Sequence, residues 1–151
     1  MRQKPLLIFD GDCKFCFQWI SRWQHITGSR VEYAPFQEVG GKFPELSEEQ
    51  FKRSIQFIEP GQGVTEGAKA VFRVLGYNSR ARLLLLFYEK FSGFAHMCEW
   101  GYGWVAKHRY GLWKTTKILW GEWAERPTYY ITGELFLRSR RSIYSIPNTS
   151  K

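Results

Sequence analysis

Two cysteines separated by two residues, Cys13 and Cys16, are the side chains of this sequence best suited to covalent chemistry. A thiolate, not a thiol, attacks a disulfide, and the free amides and dipole of a helix N-terminus favour the thiolate. A spacing of three puts both sulfurs on one helix face. The pair therefore reads as a redox dithiol. Cys13 is expected to be an exposed attacking sulfur and Cys16, one turn further in, a shielded sulfur that resolves the mixed disulfide. Asp10 and Asp12 are the only aspartates in the chain and both precede the pair. Either is a candidate to handle the Cys16 proton. Asp12 also reads as a helix N-cap and Asp10 as a turn residue. Dithiol exchange requires no organic cofactor and no metal, and none is expected.

Other chemistries fit the same residues less well. Cys13 and Cys16 with His96 and Cys98 would supply four soft ligands for zinc, although His-x-Cys is an unusual half-site. Cys98 alone reads as a small buried hydrophobe. Leu7-Ile8-Phe9-Asp10-Gly11-Asp12 has the apolar strand and Asp-x-Asp of a magnesium-dependent phosphatase. That chemistry needs later acidic ligands, and no aspartate follows Asp12. Pro60-Gly61-Gln62-Gly63 lacks the Gly-Lys-Ser/Thr ending of a phosphate loop and reads as a hairpin turn.

The elements that must carry the dithiol are legible from periodicity. Leu6 to Phe9 is an apolar run of strand length, broken by Asp10-Gly11-Asp12. Phe15, Trp19, Ile20, Trp23 and Ile26 then fall at helical spacing up to Thr27-Gly28-Ser29. Val31 to Phe36 is predicted to be a second strand, followed by a loop at Gly40-Gly41. Ser47-Glu48-Glu49-Gln50 has the form of a capping box. Ser54 to Glu59 and Val64 to Glu66 are predicted strands, and Gly67 to Leu75 a helix. This order predicts an α/β fold, a thioredoxin-like mixed sheet flanked by helices. Leu83 to Lys90 and Glu99 to Arg109 are predicted helices of a helical C-terminal extension.

The chain has 151 residues and a net charge of +8, unevenly placed. Nine Lys/Arg and three Glu lie from Lys107 onward, against thirteen Lys/Arg and eleven Asp/Glu before it. The expected division is a domain over 1–112 and a basic, aromatic-rich, partly disordered extension over 113–151. No apolar run approaches the ~20 residues needed to span a bilayer, and the four apolar residues after Pro5 are too few for a secretory leader. A cytoplasmic location is the default, membrane-peripheral if the tail binds lipid. Trp113, Trp120 and Trp123 interleaved with Lys114, Lys117, Arg126, Arg138, Arg140 and Arg141 read first as a solvated basic tail with its Trp residues packed on the core. As a binding element they suit an anionic membrane surface better than nucleic acid.

Three stretches carry a resemblance. Phe9-Asp10-Gly11-Asp12-Cys13-Lys14-Phe15-Cys16 is similar to the N-terminal signature of the DCC family of thiol-disulfide oxidoreductases. Gly67-Ala68-Lys69-Ala70 resembles that family's Gly-Ala-Asp/Glu-Ala helix start, and Tyr102 to Tyr110 its closing Tyr-x-x-(apolar)-Ala-x-x-Arg-Tyr motif. The resemblance implies a thioredoxin-like fold, a dithiol at Cys13 and Cys16, and protein or small-molecule thiols and disulfides as partners. Lys52-Arg53-Ser54 stands where thioredoxins carry a cis-proline before the third strand. Residues 119–138 weakly resemble the lead-in to the first membrane helix of lipase maturation factor-like proteins. The alternative function is a zinc-binding or membrane-surface module without redox catalysis.

Overall fold

The computed structural model describes residues 4–120. Four strands form one sheet: β1 (Leu6–Phe9), β2 (Glu32–Pro35), β3 (Gln56–Glu59) and β4 (Gly63–Glu66). Their order is β2-β1-β3-β4. β1 runs parallel to β2, pairing Leu7 with Tyr33, and antiparallel to β3, pairing Leu7 with Phe57. β3 and β4 form an antiparallel hairpin closed at Glu59 and Gly63, as the Pro60–Gly63 turn predicts.

Side chains alternate across a strand, and both faces of β1 are covered, which is why Leu6 to Phe9 is continuously apolar. Leu7 and Phe9 enter a core with Ile20, Val31, Tyr33, Phe57 and Val74, under helices α1 (Lys14–Thr27) and α4 (Gly67–Leu75). Leu6 and Ile8 enter the opposite core with Ala34, Val39 and Phe51. That face is closed by α2 (Phe36–Val39) and α3 (Glu48–Arg53), the latter opened by the predicted capping box: Ser47 Oγ accepts from Gln50 N and Gln50 Oε1 from Ser47 N. α2 and a following turn of tight helix at Gly40–Lys42 replace the expected loop.

α1 presents Ile20 and Thr27 to the core, whereas Ile26 points outward. Thr27 Oγ1 bonds Trp23 O and the Tyr33 hydroxyl, both at 2.8 Å. Gly28, at φ 58°, ends the helix in a backbone conformation that side chains disfavour. α5 (Arg82–Lys90) starts within one residue of expectation. α6 (Ser92–Trp120) spans 29 residues, where Glu99 to Arg109 was expected. It packs on α1 and α4, and the expected boundary at residue 112 falls inside it. No helix among the described residues is long and apolar enough to cross a membrane. The expectations for 121–151 lie outside the described residues. The sheet order and its flanking helices make this an α/β, thioredoxin-like fold with a helical C-terminal part.

Candidate active site

β1 delivers Asp10 to the sheet edge, and the chain turns through Gly11-Asp12 into α1. Asp10 Oδ1 accepts from Asp12 N at 3.1 Å and from Gln37 Nε2 at 3.0 Å. Gln37 returns the contact by accepting from Gly11 N at 3.0 Å. A Cβ on Gly11 would meet Pro35 Cβ at 2.8 Å, so this close turn requires glycine. Asp12 is exposed and accepts from Gln37 Nε2 at 3.2 Å. It is not the N-cap of α1. Cys13 takes that place, with extended backbone and its Sγ accepting from Cys16 N at 3.3 Å. Asp12 is held on the α2 side by Gln37, which leaves the sulfur to cap the helix.

The two thiols differ strongly. The Cys16 thiol donates to the Cys13 sulfur and, with the Cys16 amide, draws the Cys13 pKa down to about 7. Burial and the Asp10 carboxylate oppose this shift, and the Arg109 guanidinium assists it. Cys16 moves the other way: its proton is held by the hydrogen bond to Cys13, and burial raises it further. The two shifts are opposed in direction, Cys13 lowered and Cys16 raised. Cys13 is 1% exposed and Cys16 half-buried, which corrects the expectation of an open attacking sulfur. α6 lies against the N-terminal end of α1, where the Lys14 ammonium sits 5.0 Å from the Trp113 ring centre.

Arg109 and Asp10 complete the site. Arg109 Nη2 lies 3.6 Å from Asp10 Oδ2, with the two side chains only 12% and 7% exposed. The same nitrogen donates to Lys52 O at 2.6 Å. Arg109 thus ties α6 to the strand end and to α3 while its charge acts on both sulfurs. Asp10 acts electrostatically on both thiols, whereas Asp12 is directed away toward Gln37 and solvent. Beside Cys16 opens an apolar groove of about 360 Å³, bordered by Phe15, Trp19, Trp23, Ile55, Tyr102 and Leu112. Phe15, Trp19 and Trp23 follow one another along α1 as tilted ring pairs, with ring centres 6.1 and 6.3 Å apart.

A family model for DCC1-like thiol-disulfide oxidoreductases matches residues 7–115. The chain belongs to the DCC1-like thiol-disulfide oxidoreductase family. No curated protein and no solved structure matches it significantly. Membership gives the Cys-x-x-Cys pair a redox setting and makes thiols or disulfides its class of partner.

The three motifs of this DCC1-like chain meet in space. From the closing motif come Arg109 and Tyr102, whose hydroxyl accepts from Ile55 N at 3.1 Å. Burial pushes the Tyr102 phenol up to about 12. Lys52-Arg53-Ser54, expected where thioredoxins carry a cis-proline, precedes Ile55 and β3. The described residues contain no cis peptide, and the Ile55 amide is occupied from within the chain. In the second motif, the α4 amides of Ala68 and Lys69 donate to Glu99 at 3.1 and 2.9 Å. Tyr88 donates to the same carboxylate at 2.5 Å. A Cβ on Gly67, at φ 67°, would meet Glu99 Oε2 at 2.7 Å, so the glycine opening this motif is what lets α6 cap α4.

Sequence reasoning gave no role to Arg109, Gln37, Tyr102 or Glu99. The closing motif contained Arg109 and Tyr102 and was the available signal for both. Gln37 and Glu99 carried none. Among the described residues no cluster of three His, Cys, Asp or Glu side chains could hold a metal. The zinc reading therefore fails in geometry, because His96 and Cys98 are not brought to the dithiol. Cys98 is half-buried rather than buried.

Proposed function

We infer that this protein exchanges disulfides through Cys13 and Cys16, with Cys13 attacking and Cys16 resolving. The observation that supports this reading is the Cys13 sulfur at the N-cap of α1, accepting from Cys16 N at 3.3 Å. The opposed shifts of the two thiols favour Cys13 as the nucleophile near neutral pH. In the reducing direction, the Cys13 thiolate attacks one sulfur of a substrate disulfide. A bond forms between Cys13 Sγ and that sulfur, and the other sulfur leaves as a thiolate that takes a proton from water. Cys16 then loses its proton and attacks Cys13 Sγ, closing the Cys13–Cys16 disulfide and releasing the second substrate thiol. The enzyme loses two electrons and the substrate disulfide gains them. The reverse sequence oxidises a substrate dithiol, and the reduction potential decides between the two.

Asp10 is the candidate acceptor of the Cys16 proton. It is buried, aimed by Gln37 and Asp12 N, and electrostatically coupled to both sulfurs. Arg109 stabilises the Cys13 thiolate and keeps the buried Asp10 charge paired. The apolar groove beside Cys16 favours a substrate with an apolar group next to its sulfur. Because Cys13 is buried, attack requires the side chains that cover it to move aside.

The test is reduction of a small disulfide by the full chain and by Cys13→Ser, Cys16→Ser and Cys98→Ser. Turnover should vanish in the first two variants and persist in the third. Turnover surviving in Cys13→Ser would overturn the reading.

A further inference from the structure

The large apolar side chains that this fold leaves exposed are concentrated on the hairpin formed by α5 and α6. Leu83, Leu86 and Phe87 line the outer face of α5 at one-turn spacing, and Leu83 is 66% exposed. Phe91, in the joint between the helices, stacks on Phe87 with ring centres 5.4 Å apart. Met97, Trp100 and Trp104 continue along α6 at spacings of three and four, with Trp100 75% exposed. The inner face of the hairpin is already used. Tyr88 is buried against Phe72, Glu99 caps α4, and Tyr102 holds Ile55. The outer stripe therefore contributes nothing to the core, yet it carries two Trp, two Phe and a Met in water.

The charges around this stripe are mainly positive. Residues 79–120 contain seven Lys/Arg and two Glu. Both acids are exposed but already engaged: Glu89 lies 4.0 Å from Arg73, and Glu99 binds the α4 amides. Arg82, Lys90 and Lys107 are exposed beside Leu83, Phe91 and Trp104. Trp and Phe flanked by long cationic stems match the boundary of an anionic bilayer, where rings sit at headgroup depth and the cations reach lipid phosphate. No helix among the described residues spans a membrane, so such a face lies on the bilayer surface.

We propose that the outer face of the α5–α6 hairpin docks on an anionic lipid surface, through Phe87, Phe91, Trp100 and Trp104 with Arg82, Lys90 and Lys107 around them. The opposite side of α6 carries Tyr102 and Arg109, so docking holds the dithiol at a fixed height above the lipid. The proposal is independent of the exchange chemistry, because no residue of the face belongs to the dithiol site.

Sedimentation of the full chain with vesicles tests it, using phosphatidylcholine alone and phosphatidylcholine mixed with phosphatidylglycerol. The chain should sediment with the anionic vesicles and several-fold less with the neutral ones, and added salt should weaken the anionic binding. Phe87→Glu with Trp100→Glu should lower anionic partition at least ten-fold. Lys90→Glu and Lys107→Glu should lower it by about five-fold each and leave neutral partition unchanged. All four positions are exposed, and circular dichroism should match the parent. Failure to sediment with anionic vesicles would overturn the proposal, as would full binding retained by both pairs of variants. A dimer that Phe87→Glu with Trp100→Glu dissociates, without vesicle binding, would overturn it in favour of self-association.

Discussion

Replacing Cys16 by Ala should raise the pKa of Cys13 from about 7 toward its ordinary value, because the largest cause of the depression is the hydrogen bond from the Cys16 thiol. The depression is a fall from 9.0 to about 7, which corresponds to about 3 kcal/mol. A hydrogen bond to a charged acceptor contributes about 1.5–3 kcal/mol, or roughly one to two units. Alanine keeps the backbone N–H at residue 16 and the nearby Arg109, so part of the shift survives. A Cys13 pKa of roughly 8 to 9 is expected. The assay is the pH dependence of the reaction with a chromogenic aromatic disulfide, in a Cys98→Ser background so that Cys13 alone responds. The midpoint, not the rate at one pH, is the informative quantity. A one-unit rise lowers the thiolate fraction near neutrality about five-fold, but each remaining thiolate is about three-fold more nucleophilic. The rate near neutral pH should therefore fall only about two-fold while the alkaline plateau rises about three-fold. A midpoint still near 7 in Cys16→Ala would refute the thiol hydrogen-bond account and leave the residue-16 amide and Arg109 as the stabilisers.

Arg109→Met should unpair the buried Asp10 carboxylate, lower stability by about 3 kcal/mol in urea unfolding, and raise the Cys13 midpoint. Adding Asp10→Asn should recover part of that loss, and simple additivity would contradict the coupling. Gly67→Ala should cost about 1–3 kcal/mol in the same measurement, since it combines positive φ with a contact against Glu99. Tyr102→Phe should cost about 1–3 kcal/mol by stranding the Ile55 amide. The reduced protein should gain about 2 kcal/mol of stability as pH rises from below 7 to roughly 8.5. The sign follows because Cys13 binds its proton less tightly folded than unfolded. The gain is complete above the unfolded thiol pKa and lost as pH falls through about 7. At still higher pH the raised Cys16 acts in the opposite sense. The Cys13 contribution should be missing in Cys13→Ser, and a flat profile in the reduced parent would contradict the shift.

The parts of this fold legible in advance are those specified by neighbours in sequence. The strand Leu6–Phe9, the Ser47 capping box and the helix Gly67–Leu75 each carry a local signal that the tertiary structure keeps. α6 does not. Gly93, Gly101, Gly103 and Gly111 each cost about 1 kcal/mol in a helix interior and argue for interruption. Packing of Tyr102, Glu99 and Arg109 onto α1, α3, α4 and the strand end overrides that propensity. The fold also buries Cys13, which local reasoning leaves open. Asp12 has the side chain best suited to an N-cap, but Gln37, 25 residues away, claims it. The dithiol was readable because its two residues are neighbours. Its electrostatic frame was not, because Arg109 and Gln37 reach it only through the fold.

The most direct test of the order of attack is a trapping experiment read by mass spectrometry. Cys16→Ser and Cys13→Ser are each incubated with an excess of glutathione disulfide near pH 7, and the adduct is mapped. Cys16→Ser should accumulate one glutathione on Cys13, while Cys13→Ser should acquire almost none on Cys16, where burial still disfavours the thiolate once the hydrogen bond to Cys13 is gone. Rapid adduct formation on Cys16 with an inert Cys13 would contradict the assignment of nucleophile and resolver.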